Sequence, residues 1–206
     1  NQRPLNATLA RQYDGTTAAA GSTLSSFDAL QGGETLTMTG SGTAASANVA
    51  NGIAMSSNGN LALADGTGAA SNYSLNSTVI NVTQRPINLS GTKIYDGNTT
   101  LNNSIVSVSS GLIGIETLTL TGEVNTNNAN VGSYSASGGT LNVGSTTINI
   151  ANGSNGGLAA NYAINDGNFT ITQRPVGVSG TRLYDATTNA VASDLSTHAN
   201  LVGSQT

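Results

Sequence analysis

An internal repeat constrains the fold of this chain more than any other feature of its sequence. The tripeptide Gln-Arg-Pro occurs three times, and a Tyr-Asp pair follows each copy at the same distance. The copies are 82 residues and then 89 residues apart. The residues that mark them are Arg3, Pro4, Tyr13, Asp14, Arg85, Pro86, Tyr95, Asp96, Arg174, Pro175, Tyr184 and Asp185. A fixed period indicates tandem modules rather than one large domain.

The period divides the chain into two complete modules and part of a third. We predict a first β repeat over residues 1–86, a second over 87–175, and the N-terminal part of a truncated third over 176–206. The second period is longer by seven residues, and the insertion lies near the Gly- and Asn-rich segment at 149–157. This composition is typical of a loop. The abrupt ends lead us to expect a fragment of a longer protein.

Residues alternate within each module as they do in β-strands. The sequence TLTMTG at 35–40 places Leu36 and Met38 on one face, and TLTLTG at 117–122 repeats the pattern. Strand-like runs recur about every 8 to 12 residues between Gly, Asn and Ser turns, which is typical of a sandwich or barrel. The sequence predicts an all-β fold of tandem elongated modules, sandwich-like or β-grasp-like, forming a rod. The one candidate helix is Ser22–Gln31, and its counterpart in the second module favours strand and loop.

The Gln-Arg-Pro sequence marks the junction between modules. It lies where the last strand of one module leads into the first strand of the next. Proline fixes its own φ and favours an extended conformation for the arginine before it. No Gly/Ser-rich linker occurs at this point. We therefore expect a stiff, nearly continuous connection.

Composition argues against several classes of function. The chain has no cysteine, so it cannot form a disulfide. It has one histidine, His198, which argues against a zinc site and against a Ser-His-Asp triad. Six Lys and Arg residues with a net charge of −4 do not form the basic stripe that nucleic acid requires. No apolar run approaches the roughly 20 residues of a membrane-spanning helix. We expect no cofactor, no metal, no nucleic acid partner and no membrane insertion.

The Tyr-Asp-Gly turn combines a cation, a phenol and a carboxylate, so it is the main candidate for chemistry. One interpretation makes the aspartates ligands or general bases, but no partner acid or nucleophile repeats nearby. The interpretation we favour is an Asx-type turn, with the stem of the basic residue lying over the tyrosine ring. That residue is Arg11, Lys93 or Arg182, so Lys and Arg are exchangeable. Because Ala186 replaces the glycine in the third copy, we expect no requirement for a positive φ.

Two glutamates occupy equivalent positions in the first and second modules. Glu34 and Glu116 are expected to pair with the repeated arginine or with Lys93 across strands. In the third copy the position holds Gln205, which keeps hydrogen bonding but loses the charge. That exchange suits a structural contact better than a catalytic acid. Asp65 precedes a glycine without a calcium-loop pattern, so a turn is the favoured interpretation.

Five motifs occur in the same order in the first two modules: QRP, YDG, ETLT, ANV and NY. In this order they resemble the YDG-type repeat modules of filamentous-haemagglutinin-like, two-partner-secreted bacterial surface adhesins. The resemblance implies export to the bacterial cell surface and an extracellular, all-β repetitive stalk. It supplies no catalytic residues. The implied function is a structural segment that projects a binding domain for cell adhesion or biofilm formation, with adjacent repeats of the same chain as partners.

The alternative is an adhesive module that itself binds a host or matrix glycan or protein, or another copy of the adhesin. Glycan sites need aromatic platforms, for which Tyr73, Tyr134 and Tyr162 join the three repeated tyrosines as candidates. The chain has few charged residues that would prevent self-association through exposed strand edges. An enzyme is the third hypothesis, and the absence of a repeated acid–base or nucleophile set argues against it.

Overall fold

Strands and short turns make up the computed structural model, which describes residues 1–136 and 147–205. The prediction of an all-β fold is confirmed. Within the described residues, helical structure is limited to 3-10 turns at Gly21–Thr23, Ala70–Asn72, Ala159–Asn161 and Ala192–Asp194. The candidate helix over Ser22–Gln31 is instead the end of a 3-10 turn, a strand and a bend. None of the described helical segments is long and apolar enough to span a membrane.

The strands are numbered here in chain order. They are β1 (Arg3–Gln12), β2 (Ala18–Ala20), β3 (Leu24–Phe27), β4 (Leu36–Thr39), β5 (Ser41–Ala44), β6 (Ala50–Ser57), β7 (Ala62–Asp65), β8 (Tyr73–Thr83), β9 (Arg85–Ile94), β10 (Thr100–Asn102), β11 (Val106–Ser110), β12 (Leu118–Thr121), β13 (Glu123–Asn125), β14 (Gly132–Ala136), β15 (Asn149–Asn152), β16 (Tyr162–Thr172), β17 (Gly177–Gly180) and β18 (Leu195–Ala199).

The first repeat is closed by pairing between its first and last strands. Its main sheet has the order β2-β5-β6-β8-β1-β3, in which β1 and β8 are parallel. Strands β3 and β6 flank this pair in antiparallel orientation. A separate antiparallel ribbon is formed by β4 and β7, with Leu36 opposite Asp65. Because β1 and β8 are far apart in sequence, the repeat must be complete before its central pair can form.

The same pairing scheme recurs in the rest of the chain. A four-stranded sheet has the order β11-β9-β16-β14, which corresponds to β3-β1-β8-β6 of the first repeat. The two-stranded sheets β10-β13 and β12-β15 correspond to β2-β5 and β4-β7. In the third copy, β17 pairs with β18 as β1 pairs with β3. Equivalent motifs therefore form equivalent strands.

The core of the first repeat lies between the β4-β7 ribbon and the main sheet. Leu5, Leu36 and Tyr73 form a buried cluster against which Phe27 and Leu63 pack. On β4, Leu and Met are buried while the threonines between them are exposed, as alternation predicts. Burial of this apolar face is the main favourable term in folding.

The chain divides into two compact units. The first contains Asn1–Ile87, Ser110–Thr119 and Ala151–Ile164, and the second contains Asn88–Ser109, Leu120–Ile150 and Asn165–Thr206. Residues of the first and second sequence repeats therefore share the first unit, and contacts between these repeats are part of its internal packing. The repeat boundaries at 86 and 175 stay a prediction from the sequence.

The connections between repeats are short. At the first junction a single residue, Gln84, separates β8 from β9, as expected for an extended connection. At the second junction residues 173–176 are not in a strand, and β17 begins at Gly177. Of the Gly- and Asn-rich segment at 149–157, the first four residues form β15 and a turn follows. The predicted loop insertion also involves residues 137–146, which lie outside the described residues.

Candidate functional site

The aspartate of each Tyr-Asp pair closes a turn. Its carboxylate accepts a hydrogen bond from the backbone N–H two residues further along, as predicted for an Asx-type turn. The N–H···O distance is 2.9 Å in all three pairs, which are Thr16–Asp14, Asn98–Asp96 and Thr187–Asp185. In Asp185 the Thr187 backbone N–H, the Thr187 hydroxyl and then Arg182 lower the carboxyl pKa. In the other two aspartates burial raises the pKa, but hydrogen bonds and the nearby cation outweigh it and lower the pKa overall.

The basic residue of each turn binds the turn itself. Its cationic head contacts the aspartate and backbone carbonyls of the turn, and the expected packing of its stem over the tyrosine ring stays a prediction. The Lys93 ammonium donates to Asp96 Oδ1 at 2.7 Å, to the Asn98 carbonyl at 2.6 Å and to the Thr100 carbonyl at 3.0 Å. Arg11 likewise binds Asp14 and the carbonyl of the residue five positions on. Arg182 binds Asp185 at 2.5 Å.

The residue after each aspartate takes a left-handed backbone conformation. Its φ is 76° at Gly15, 79° at Gly97 and 64° at Ala186. The expectation that this position does not require a positive φ is therefore wrong. The alanine adopts the conformation that the turn imposes, at a cost of roughly 1–2 kcal/mol relative to glycine. A Cβ at Gly15 would also lie only 2.9 Å from Ile113, so glycine permits a close approach there.

The Nε–H group of the arginine in each Gln-Arg-Pro sequence donates to an equivalent backbone carbonyl. The Nε–H group donates from Arg3 to Ala29 at 2.7 Å, from Arg85 to Gly111 at 2.7 Å and from Arg174 to Asn200 at 2.5 Å. Each acceptor residue has a positive φ. The arginine therefore fixes a turn with a positive φ, and the sequence did not predict this contact because the acceptor side chain differs in each copy.

Glu116 joins the first repeat to the second. Its Oε1 atom accepts a hydrogen bond from the Tyr13 hydroxyl, and its Oε2 atom accepts one from the Tyr162 hydroxyl, both at 2.6 Å. The two tyrosine rings meet edge to face with centroids 5.4 Å apart. The first repeat supplies Tyr13 and the second supplies the other two residues, all within the first compact unit. We call this set the Tyr–Glu–Tyr contact.

The expectation that the glutamates pair with a basic residue is wrong. Glu34 accepts from the Tyr73 hydroxyl, and Glu116 accepts from two tyrosines. Among the described residues, the ion pairs instead join the basic residue of each turn to its own aspartate. The cations are held three residues from these aspartates, so they are engaged locally and the glutamates bind phenols.

Burial and the carboxylate both favour the neutral phenols of this contact. Burial, and then the hydrogen bond to Glu116, raise the pKa of Tyr162 to about 12. The same two causes, in the same order, raise the pKa of Tyr13. Only 1% of Tyr162 and 4% of Tyr13 is exposed. Both phenols therefore stay protonated near neutral pH.

The glutamine of the third copy keeps the equivalent contact in the second unit. The Nε2 group of Gln205 donates to the Tyr95 hydroxyl at 3.0 Å. Gly97 lies against Val202, as Gly15 lies against Ile113 in the first unit. The expectation that Gln205 preserves hydrogen bonding without the charge is confirmed.

A buried asparagine completes the first junction. Asn161 is 1% exposed, and its Oδ1 atom accepts from the Val49 N–H at 2.9 Å while its amide donates to Asn48 at 3.0 Å. The amide of Gln84 donates to the Tyr162 carbonyl at 3.0 Å. The recurring Asn-Tyr motif identified this segment in the sequence. The residues that Asn161 binds lie more than 100 residues away, so no pattern near the motif indicates them.

The second unit has a cavity at the equivalent place. Its volume is about 260 Å³, and its lining includes Tyr95, Val131 and Gln173. By the repeat these correspond to Tyr13, Val49 and Gln84, which contact residues 160–162 in the first unit. The cavity therefore lies at the position that corresponds to the Asn-Tyr segment of the first unit.

Most of the candidate residues thus make hydrogen bonds or packing contacts within the chain. Asp65 accepts from the Ala70 N–H at 2.7 Å and forms a turn, as expected. Tyr184 is the exception, because 92% of it is exposed. Within residues 1–136 and 147–205 no group of three or more His, Asp or Glu side chains is placed to hold a metal ion. The arrangement is suited to joining repeats.

Fold and site together define an all-β chain of tandem repeats joined by buried polar contacts. Comparison with known families agrees with the sequence motifs, since a YDG domain is found at residues 1–80. That match covers the first repeat, and the second repeat carries the same motifs. No curated protein and no solved structure matches the chain significantly.

We predict that exchanging the two cations has opposite effects. In Arg11 the buried Nε lacks a hydrogen-bond partner, whereas the Lys93 ammonium has three acceptors. Lys93→Arg should therefore lower the free energy of unfolding by about 1–3 kcal/mol, and Arg11→Lys should leave it unchanged or raise it. Urea unfolding measures both, with the more exposed Arg182→Lys as control. Equal losses from the two exchanges would contradict this account.

Removing the shared carboxylate should weaken the first junction. Glu116→Ala leaves two buried hydroxyls without their acceptor, so we expect a loss of about 2–4 kcal/mol in the free energy of unfolding. Glu116→Gln should lose less than half as much, because Gln205 shows that an amide can serve. Tyr184→Phe is the matched control and should change stability by less than about 0.5 kcal/mol. A Glu116→Ala effect as small as that of the control would rule out this role.

Alkaline pH should destabilise the fold through Tyr162. Its pKa rises from 10.0 to about 12 on folding, so its contribution is intact below pH 10 and is lost as pH increases toward about 12. Melting temperature and tyrosinate absorbance should be followed over this range for the parent chain and Tyr162→Phe. The parent should lose stability more steeply than the variant, and parallel curves would contradict the prediction.

Proposed function

We propose that this chain is a structural stalk segment of a large secreted bacterial cell-surface adhesin of the filamentous-haemagglutinin-like, two-partner-secreted class. In this role, repeats outside the cell hold a separate binding domain at a distance for cell adhesion or biofilm formation. The observation that carries the proposal is the Tyr–Glu–Tyr contact, in which the marker tyrosine of one repeat is bound by the next repeat.

The recurrence of the contact supports an architectural role. Tyr95 is hydrogen-bonded to Gln205 as Tyr13 is to Glu116, although the carboxylate that accepts from Tyr13 is replaced by an amide that donates to Tyr95. A catalytic acid would not keep its chemistry through that change, whereas a hydrogen-bonded junction does. In this proposal the chain has no catalytic role and binds no nucleic acid.

The mechanism of a stalk is mechanical. Length increases with the number of repeats, and stiffness depends on how each junction restricts rotation. At the first junction the single connecting residue, Gln84, is itself hydrogen-bonded to the second repeat. The hydrogen bond from the buried Asn161 to Asn48 adds a second fixed point beside the Tyr–Glu–Tyr contact. Two separate fixed points oppose both bending and twisting.

Burial of the tyrosines argues against the glycan-binding alternative. A stacking platform must present an exposed ring, but Tyr13, Tyr73 and Tyr162 are at most 5% exposed. These three tyrosines thus contribute to packing, whereas 92% of Tyr184 is exposed.

Spin labels should report a stiff first junction. The chain has no cysteine, so Thr37→Cys and Thr119→Cys place one label at equivalent exposed positions of two consecutive repeats. Electron–electron resonance should give one narrow distance distribution for the labelled chain. Adding Glu116→Ala should broaden that distribution, because one of the two fixed points is removed.

The control adds Tyr184→Phe, which should leave the distribution narrow. A broad distribution in the otherwise unchanged labelled chain would contradict the stalk proposal. A glycan array probed with the unlabelled chain should give no specific binding, and reproducible binding to one glycan class would favour the adhesive-module alternative.

A further inference from the structure

We propose that the parallel pair of β1 and β8 makes the first repeat a force-resisting element. Tension applied along the chain acts on this pair in shear, so all of its hydrogen bonds oppose the force together. We call β1 and β8 the terminal strand pair. Its biological role rests on the stalk function proposed above. Its mechanical property depends on contacts within one repeat, so it is the same wherever the repeat lies in a tandem array.

The chain enters and leaves the first repeat at opposite ends of the terminal strand pair. Strand β1 begins at Arg3 opposite Tyr73 of β8, and it ends at Gln12 opposite Thr83. Because the strands are parallel, the chain enters at one end of the pair and leaves at the other. Tension therefore pulls the two strands past each other along their length. In an antiparallel pair both attachment points would lie at the same end, and the hydrogen bonds would break one after another.

The terminal strand pair lies inside the main sheet and is shielded from water. Strand β3 covers the outer side of β1, and β6 covers the outer side of β8. Both strands contribute side chains to the core, and Leu5, Leu9 and Ile80 are 0% exposed. A hydrogen bond in apolar surroundings is electrostatically stronger than one in water. Water therefore cannot readily replace these bonds while the strands are under tension.

Further hydrogen bonds close the end of the pair where the chain leaves the repeat. The Tyr13 N–H donates to the Thr83 carbonyl at 2.9 Å, and the Thr83 hydroxyl donates to the Arg11 carbonyl at 3.4 Å. In the second repeat the Tyr95 N–H donates to the Thr172 carbonyl at 2.9 Å, and the hydroxyl of that threonine bonds back to β9 at 3.2 Å. There β9 and β16 are again neighbours inside their sheet. The same element therefore recurs in the second repeat.

The other strands of the first repeat carry no tension until the terminal strand pair separates. Strands β2 to β7 lie between β1 and β8 in the sequence, so the hydrogen bonds of the pair bypass them. After β8, a single residue, Gln84, leads into β9, so the force passes directly to the next repeat. Separation of the pair should release Arg3–Thr83 in one step and lengthen the chain by about 250 Å.

Single-molecule pulling on the full chain tests this proposal. The chain has no cysteine, so handles can be attached at chosen positions. Asn1→Cys with Thr83→Cys applies shear, and Asn1→Cys with Asn72→Cys pulls the same two strands apart from one end. All three positions are exposed. Each chain carries alanine where the other has its second cysteine, so the two differ only in where the force acts.

The first repeat should unfold at a force at least about twofold higher in shear than in the one-ended geometry at the same loading rate, because the hydrogen bonds then share the force. Adding Glu116→Ala to both chains separates this effect from that of the Tyr–Glu–Tyr contact. The ratio of the two forces should remain, because it arises from strand orientation. Equal forces, or a ratio that Glu116→Ala abolishes, would overturn the proposal.

Failure of this proposal is distinguishable from failure of the stalk function. Equal pulling forces together with a narrow spin-label distance distribution would overturn the role of the terminal strand pair alone. A higher force in shear together with a broad distribution would contradict the stiff stalk and support the terminal strand pair. An extension in shear far below about 250 Å would also overturn the proposal, since this pair would then not be the contact that holds the repeat closed.

Discussion

The carboxylate of Glu116 receives one phenol from its own repeat and one from the repeat before it, and the first junction depends on this sharing. A carboxylate can accept several hydrogen bonds, so the two donors do not compete. Both phenols are buried, and leaving either one without an acceptor costs the desolvation of its hydroxyl. The interaction therefore stabilises the second repeat and fixes its position on the first with the same group.

The Tyr-Asp turn positions the tyrosine that makes the contact between repeats. The aspartate and the cation close the turn internally, and the tyrosine before the aspartate is then held in one orientation. The left-handed residue that follows lets the next repeat approach closely, as Ile113 does at Gly15. Tyrosine and aspartate thus have separate tasks. The aspartate shapes the turn, and the tyrosine makes the contact between repeats.

Local features of the sequence were predictable, and distant partners were not. Strand alternation around Leu36 and the Asx-type turn at Asp96 depend on neighbouring residues, so both could be predicted from a short stretch. The partner of Glu116 could not, because Tyr13 is 103 residues away and a cation was the more obvious candidate. The expectation for the φ angle at Ala186 was wrong for another reason. The presence of a side chain there was interpreted as conformational freedom, whereas the turn imposes a φ of 64° on it.

Neutral donors also explain how so few charges can join repeats. An interface built from Lys and Arg would need more cations than the six in this chain, and its exposed pairs would weaken as salt increases. Here three cations bind within the Tyr-Asp turns and the three arginines of the Gln-Arg-Pro sequences bind backbone carbonyls, while Glu116 binds phenols. A phenol carries no charge below its pKa, so the contact contains no ion pair for salt to screen. The same neutrality lets an amide replace the carboxylate at Gln205, because a tyrosine hydroxyl can accept a hydrogen bond as well as donate one.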